Sequence, residues 1–138
     1  MKIIGTGSAH PTCAVTNQML EQFIETTDEW ITERTGIKER CVISSEHLED
    51  MAVHAANKAL EDAGLTAADI DFLICSNVVN EYVTPALSCI IQGKLGAKCP
   101  TVDINAACAG FIYAMDMADD KLKAGKAKNI LIVCAEEP

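Results

Sequence analysis

The stretch TVDINAACAGFIYAMDMADDKLKAGKAKNILIVCA, Thr101–Ala135, carries the reading of the fold. It predicts a strand over Thr101–Ile104, a tight turn of small residues, and a helix over Ala109–Ala124 closed by Gly125. A buried strand then follows over Asn129–Ala135. Asn129–Ala135 holds a short aliphatic run without polar alternation, the pattern of a strand covered on both faces. Strand, helix and strand in this order imply a parallel sheet with helices packed on it.

The same alternation extends outward. Asp71–Ser76 (DFLICS) reads as another buried strand. Before it, Leu48, Met51, Ala52, Ala55, Ala56, Ala59, Leu60 and Ala63 recur with helical periodicity until Gly64 stops them. Thr84-Pro85 places Pro at the first position of a helix running to Gly96. Nearer the start, Lys2–Gly7 predicts a strand and Asn17–Phe23 a short helix. Thr26-x-x-Glu29 fits a capping box opening a helix that ends at Gly36, and Ile37–Ile43 is expected to be extended. The fold class is α/β, a mostly parallel sheet covered by helices. No repeat or linker divides the chain, so a single unit is expected. Glu136-Glu137-Pro138 directly follow a central-type strand, an odd place for a complete α/β protein to stop.

Composition narrows the function classes. Among 138 residues, 49% are hydrophobic and 22% charged, which is globular rather than disordered. The net charge of −9 argues against nucleic acid and against anionic lipid as partners. Glu21, Glu25, Asp28, Glu29 and Glu33 form an acidic run read as a solvated face. The longest aliphatic run, Ile130–Ala135, is far short of the ~20 residues of a spanning helix, and MKIIGTG does not read as a signal peptide. Seven cysteines without a C-x-x-C pair read as thiols of a reducing, cytoplasmic compartment, with no metal site expected. Cys75 and Cys134 lie inside aliphatic runs and are expected to fill the core.

Two places could carry chemistry. Cys108 sits in the small-residue turn between a strand and a helix, the arrangement of a nucleophile elbow. Ala106, Ala107, Ala109 and Gly110 leave room for a substrate, and a nearby helix start offers free N–H groups and a positive dipole end. Such a site favours thiolate and can stabilise an oxyanion. The competing reading is a small cysteine at a close helix–strand contact. In TTDEWITERTG, Trp30 and Arg34 fall i, i+4 on one helix face, which suits a purine on the ring and a phosphate on the guanidinium. The competing reading there is a helix packed by its Trp, with Arg34 paired to Glu33 or Glu29. His10, His47 and His54 have no catalytic context; the last two are placed on the long helix.

The pieces TNQMLEQFIETTDEWITERTGIKER, ALEDAGLTAADIDFLICSNV, LGAKCPTVDINAACAGFIYAMD and KNILIVCAEE together resemble the amino-terminal half of β-ketoacyl-acyl-carrier-protein synthase III. The resemblance implies a thiolase-like fold of two similar α/β halves, with residues 1–138 forming the first and the carboxy-terminal half absent from this chain. It places Cys108 on the family's acyl-accepting nucleophile. It places Trp30 and Arg34 on residues that hold the adenine and phosphates of coenzyme A, with Thr26 and Thr35 lining the same site. The implied reaction takes a short acyl group from acyl-CoA onto the cysteine and condenses it with malonyl-acyl-carrier protein, beginning fatty-acid synthesis. No permanently bound cofactor is implied; the coenzyme A thioester is substrate. A homodimer is implied as well. The family's catalytic His and Asn belong to the second half, and no matching context occurs here. In the loop SNVVNEYVTPALS, Thr84 stands where acetyl-using members commonly carry a bulky aromatic, which leaves primer size open. A non-catalytic dimerisation or acyl-CoA-binding domain, and a related condensing enzyme of secondary metabolism, are the alternatives.

Overall fold

The computed structural model describes residues 1–136, which group into two compact units. One holds Met1–Ala9 and the residues from Leu48 onward; the other is His10–His47.

In the larger unit, three strands form a parallel sheet: β3 (Phe72–Ser76) lies between β4 (Thr101–Ile104) and β5 (Ile130–Cys134). The helices α3 (Leu48–Ala63), α4 (Leu87–Leu95) and α5 (Gly110–Lys123) alternate with them along the chain. Strands β3 and β5 read as nearly continuous apolar runs because both faces are covered. Leu73, Cys75, Leu131 and Val133 pack with Ala52, Ala56 and Leu60 of α3 and Leu87 and Ile91 of α4. Phe72, Ile74, Ile130 and Ile132 pack on the other face with Ala114 and Ala118 of α5. Leu73 and Ile74 are fully buried, and each such side chain contributes ~1.5–3 kcal/mol. The register sets Ser76 beside both Ile104 and Cys134, so the carboxyl ends of the three strands lie side by side, where sites of open α/β sheets gather.

The smaller unit pairs β1 (Cys13–Thr16) antiparallel with β2 (Glu39–Val42) and carries α1 (Asn17–Leu20) and α2 (Asp28–Thr35). Its centre is polar. Asn17, fully buried, donates to Asp28 Oδ1 (2.7 Å) and to the Ile37 carbonyl (2.8 Å) and accepts from Arg40 Nη2 (2.7 Å). One amide thus ties α2 to the strand pair.

Several expectations need correction. Lys2–Gly7 belongs to no strand; its backbone lies along α3 instead, where a Cβ on Gly5 or Gly7 would meet the carbonyl oxygens of Ala59 and Ala55. The helix of DEWITERT is capped by Thr27, whose hydroxyl accepts from Trp30 N at 3.1 Å, so Thr26-x-x-Glu29 is not the capping box. Pro85 lies outside α4, after a cis bond from Thr84. Helix α4 begins at Leu87 because the Asp103 carboxylate, from another strand, accepts its first amides. Helix α1 ends at Leu20 rather than Phe23, and His47 precedes α3 rather than lying on it. Cys75 is core, whereas Cys134 is exposed at the end of β5. All seven cysteines are free, and no described helix is long and apolar enough to cross a membrane.

Candidate active site

The chain leaves β4 through Asn105-Ala106 and enters a single 3-10 turn, Ala107–Ala109, before α5. Cys108 is in that turn and is exposed. Ala107, the residue before it, adopts φ +46°, the left-handed region that costs a non-glycine residue roughly 1–2 kcal/mol. The tight strand-to-helix turn of small residues expected from sequence is present, and it is strained at Ala107. Helix α5 begins at Gly110, one residue later than expected, with no side-chain cap and no acid in its first turn. The Ala109 and Gly110 amides donate to the Ala106 and Ala107 carbonyls, so what the helix start offers an anion at the corner is the positive end of its dipole.

Glycine at position 110 is required by packing. A Cβ there would meet Ser76 Oγ at the end of β3, so the start of α5 lies directly against the sheet. The opposite side of the corner is held by Asp103. Its carboxylate accepts from Asn77 Nδ2 (2.8 Å), Leu87 N (3.0 Å) and Ser88 N (2.8 Å), joining the ends of β3 and β4 to the start of α4. Sequence reading missed Asp103, Asn77 and Ser76. An acid inside the aliphatic strand TVDI was the available signal, since a carboxylate among covered strands needs several donors.

The other thiols differ. Burial foremost, and then the Asp103 charge, pushes the Cys75 thiol up to about 12. Burial likewise raises Cys99. Cys134 is raised by desolvation first and by Glu136 second. Cys41 and Cys89 are exposed on β2 and α4. No group of three or more His, Cys, Asp or Glu among the described residues could hold a metal ion.

In the smaller unit, α2 brings Trp30 and Arg34 together. The guanidinium carbon lies 4.5 Å from the ring centroid, a cation–π pair, and both residues are exposed. Trp30 does not pack the helix down, and Arg34 makes no ion pair with Glu29 or Glu33. Thr35 is engaged locally: its hydroxyl donates to the Ile31 carbonyl (2.7 Å) and accepts from Ile37 N (3.0 Å). Thr26 is half-buried just before the cap. All three histidines are exposed.

Comparison with known proteins joins these features to a family. A β-ketoacyl-[acyl-carrier-protein] synthase III of Clostridium perfringens is 48% identical over 136 residues, covering 98% of this chain and 42% of the relative. The crystal structure of the Aquifex aeolicus synthase III superposes with a TM-score of 0.95 at 46% identity, covering 99% of this chain and 44% of that one. The chain resembles the amino-terminal half of a β-ketoacyl-ACP synthase III. The family model for 3-oxoacyl-[acyl-carrier-protein] synthase III matches residues 102–138, which include the Cys108 corner. The priming β-ketosynthase of a polyketide pathway is also similar, with a TM-score of 0.94 at 38% identity over 99% of this chain and 41% of that structure. The fold is the thiolase-like α/β architecture of these synthases. The chain spans about two fifths of the length of the synthases it matches.

Proposed function

We propose that this chain is the amino-terminal half of an acyltransferase of the β-ketoacyl-ACP synthase III type, with Cys108 as acyl acceptor. The observation that carries the reading is the exposed thiol in a strained turn, between the carboxyl end of β4 and the uncapped start of α5. The thiolate attacks the carbonyl carbon of acyl-CoA and a new C–S bond forms. The bond to the coenzyme A sulfur then breaks, and that sulfur leaves as thiolate. One thioester replaces another, so the exchange is nearly isoenergetic. The positive end of the α5 dipole stabilises the negative charge that develops.

Coenzyme A binds at the exposed pair on α2: adenine on the free face of the Trp30 ring, phosphate on Arg34. Thr26 and Thr35 line this site; Thr35 supports it through the helix end, since its hydroxyl is already engaged. No permanently bound cofactor takes part. The acyl group is then condensed with malonyl-acyl-carrier protein with loss of carbon dioxide, using a His and an Asn from the carboxy-terminal half of the enzyme. Val79, Tyr82 and Val83 in the loop after β3, and Phe111, Ile112 and Tyr113 at the start of α5, are exposed and support a homodimer. The seven free thiols fit the cytoplasm. Similarity to a priming polyketide synthase supports a second reading, in which the same cysteine primes a secondary-metabolite pathway.

Incubation with acetyl-CoA followed by peptide mapping tests the reading. One acetyl group is expected on the Cys108 peptide and none in Cys108→Ala. Acetylation at another cysteine, or none, overturns it. With malonyl-acyl-carrier protein added, the isolated chain is expected to give negligible condensation product.

A further inference from the structure

Helix α2 carries the Trp30–Arg34 pair, yet little apolar packing holds it. Its eight residues are fewer than the ~12–15 an isolated helix needs in water. Asp28, Ile31, Thr32 and Thr35 recur at helical spacing on one face, and Ile31 is the only one of the eight residues that is buried. One buried side chain offsets the ordering entropy of roughly one or two residues, so the order of α2 depends on polar anchors.

Those anchors converge on Asn17. Its Nδ2 donates to Oδ1 of Asp28 (2.7 Å), the first residue of the helix. It also donates to the Ile37 carbonyl (2.8 Å), just past the Gly36 that ends the helix, and Thr32 Oγ1 lies at 3.4 Å between the two. One amide group therefore holds both ends of α2. Asn17 is itself fixed: its backbone N–H donates to the Lys38 carbonyl (3.2 Å), and its Oδ1 accepts from Arg40 Nη2 (2.7 Å) on β2. The side chain is fully buried, so water does not compete for these bonds. Asn suits the position because its short amide carries two donors and an acceptor. Asp there would set a second carboxylate against Asp28.

We infer that Asn17 is a positioning residue for coenzyme A: by clamping α2 at both ends it holds Trp30 and Arg34 in their ligand-ready contact before the ligand arrives. The inference rests on the placement of coenzyme A at that pair proposed above. With the inner face of the helix fixed, the exposed face presents the indole ring and the guanidinium carbon 4.5 Å from its centroid. Asn17 touches neither of them and acts only through the helix. A ligand's apparent affinity falls by the fraction of time its site is formed, so an α2 ordered about one tenth of the time binds roughly tenfold more weakly. Cys108 belongs to the other compact unit, and its turn is built from other contacts. Loss of the clamp therefore raises the acyl-CoA concentration that acylation needs and leaves the reactivity of the thiol as it was.

The test uses the 138-residue chain with Asn17→Asp and with the double variant Asn17→Asp/Asp28→Asn. The single variant turns the donor facing Asp28 into an acceptor. The double variant restores a donor–acceptor pair with the roles exchanged and keeps an acceptor for Arg40. Trp30, the only tryptophan, reports both order and binding. Asn17→Asp is expected to increase the local motion seen in Trp30 anisotropy decay and to speed exchange of the Ile31 and Gly36 amides by roughly tenfold. Coenzyme A, titrated by Trp30 fluorescence, is expected to bind roughly tenfold more weakly. Single-turnover acetylation of Cys108 is expected to need about tenfold more acetyl-CoA for its half-maximal rate, with the maximal rate unchanged. Acetylation by the N-acetylcysteamine thioester, which carries no nucleotide, is expected to be unchanged. The double variant is expected to recover coenzyme A affinity to within about threefold of wild type. Unchanged Trp30 order and coenzyme A affinity in Asn17→Asp, no recovery in the double variant, or an equal loss with the nucleotide-free thioester overturns the positioning role. A wild-type Trp30 indifferent to coenzyme A overturns instead the placement of the ligand proposed above, and the order of Trp30 across the two variants still decides whether Asn17 clamps α2.

Discussion

Replacing Asp103 by Ala removes the carboxylate that joins β3, β4 and the start of α4. Three donors lose their acceptor: Asn77 Nδ2, Leu87 N and Ser88 N, at 2.8, 3.0 and 2.8 Å. Leu87 and Ser88 are 1% and 0% exposed, so water cannot replace the acceptor there. A hydrogen bond to a charged group contributes ~1.5–3 kcal/mol, and leaving a buried donor unpaired costs ~1–3 kcal/mol. These overlap, so Asp103→Ala is expected to cost about 3–5 kcal/mol, a drop of roughly 10 °C in Tm at about 3 °C per kcal/mol. Asp103→Asn keeps an oxygen in place and should cost about half as much. Ser88→Ala is the control. Its hydroxyl is buried without a partner, so removal should be neutral or stabilising. Urea unfolding followed by circular dichroism gives the totals, and exchange of the Leu87 and Ser88 amides locates the effect. A loss below about 1 kcal/mol, with those amides still protected, would refute the capping role.

Asn17→Ala should destabilise the smaller unit by ~2–4 kcal/mol, since it strands Asp28 and Arg40. Trp30, the only tryptophan, lies in that unit, and its fluorescence should report the loss before circular dichroism does. Gly110→Ala should cost ~1–3 kcal/mol and lower Cys108 reactivity, because the new methyl meets Ser76 Oγ; unchanged labelling and stability would remove the close contact from the account. Acid should destabilise the chain below about pH 4. Asp71 is held below the ordinary carboxylate range by the amides of Asn129 and Lys128, and Asp69 by the Thr66 hydroxyl and amide. Their folded-state values are depressed, so their contribution is present above the unfolded pKa and lost as pH falls through the folded one. Urea midpoints that rise from pH 5 to pH 3 would contradict this sign.

The chain's α/β order was legible because its strongest signals are local. Leu48–Ala63 shows helical periodicity with a glycine stop, and Asp71–Ser76 and Asn129–Ala135 hold short aliphatic runs; the structure places a helix at Leu48–Ala63 and strands at Phe72–Ser76 and Ile130–Cys134. Errors arose where distant residues decide. Helix α4 starts at Leu87 because Asp103, sixteen residues on, supplies the cap that Thr84-Pro85 suggested would be local. Lys2–Gly7 has a strand's composition, but a strand also needs a neighbour, and a run of residues cannot show whether one is present. Asn17, at the heart of the smaller unit, carried no pattern, since a lone Asn reads equally as a turn residue. At the candidate site, the small residues of AACAG exposed the corner in advance, whereas the strain at Ala107 and the contact of Gly110 with Ser76 required coordinates.

The central claim is that Cys108 alone among seven thiols accepts an acyl group from coenzyme A. Competitive alkylation tests it directly: the chain is treated with limiting iodoacetamide at neutral pH, with and without acetyl-CoA, and labelling is mapped at every cysteine. The account predicts that Cys108 labels first, that acetyl-CoA suppresses labelling there and nowhere else, and that Cys75, with its thiol pushed up to about 12, stays unlabelled. Faster labelling of Cys41, Cys89 or Cys134, or suppression by acetyl-CoA at any of them in place of Cys108, would contradict it.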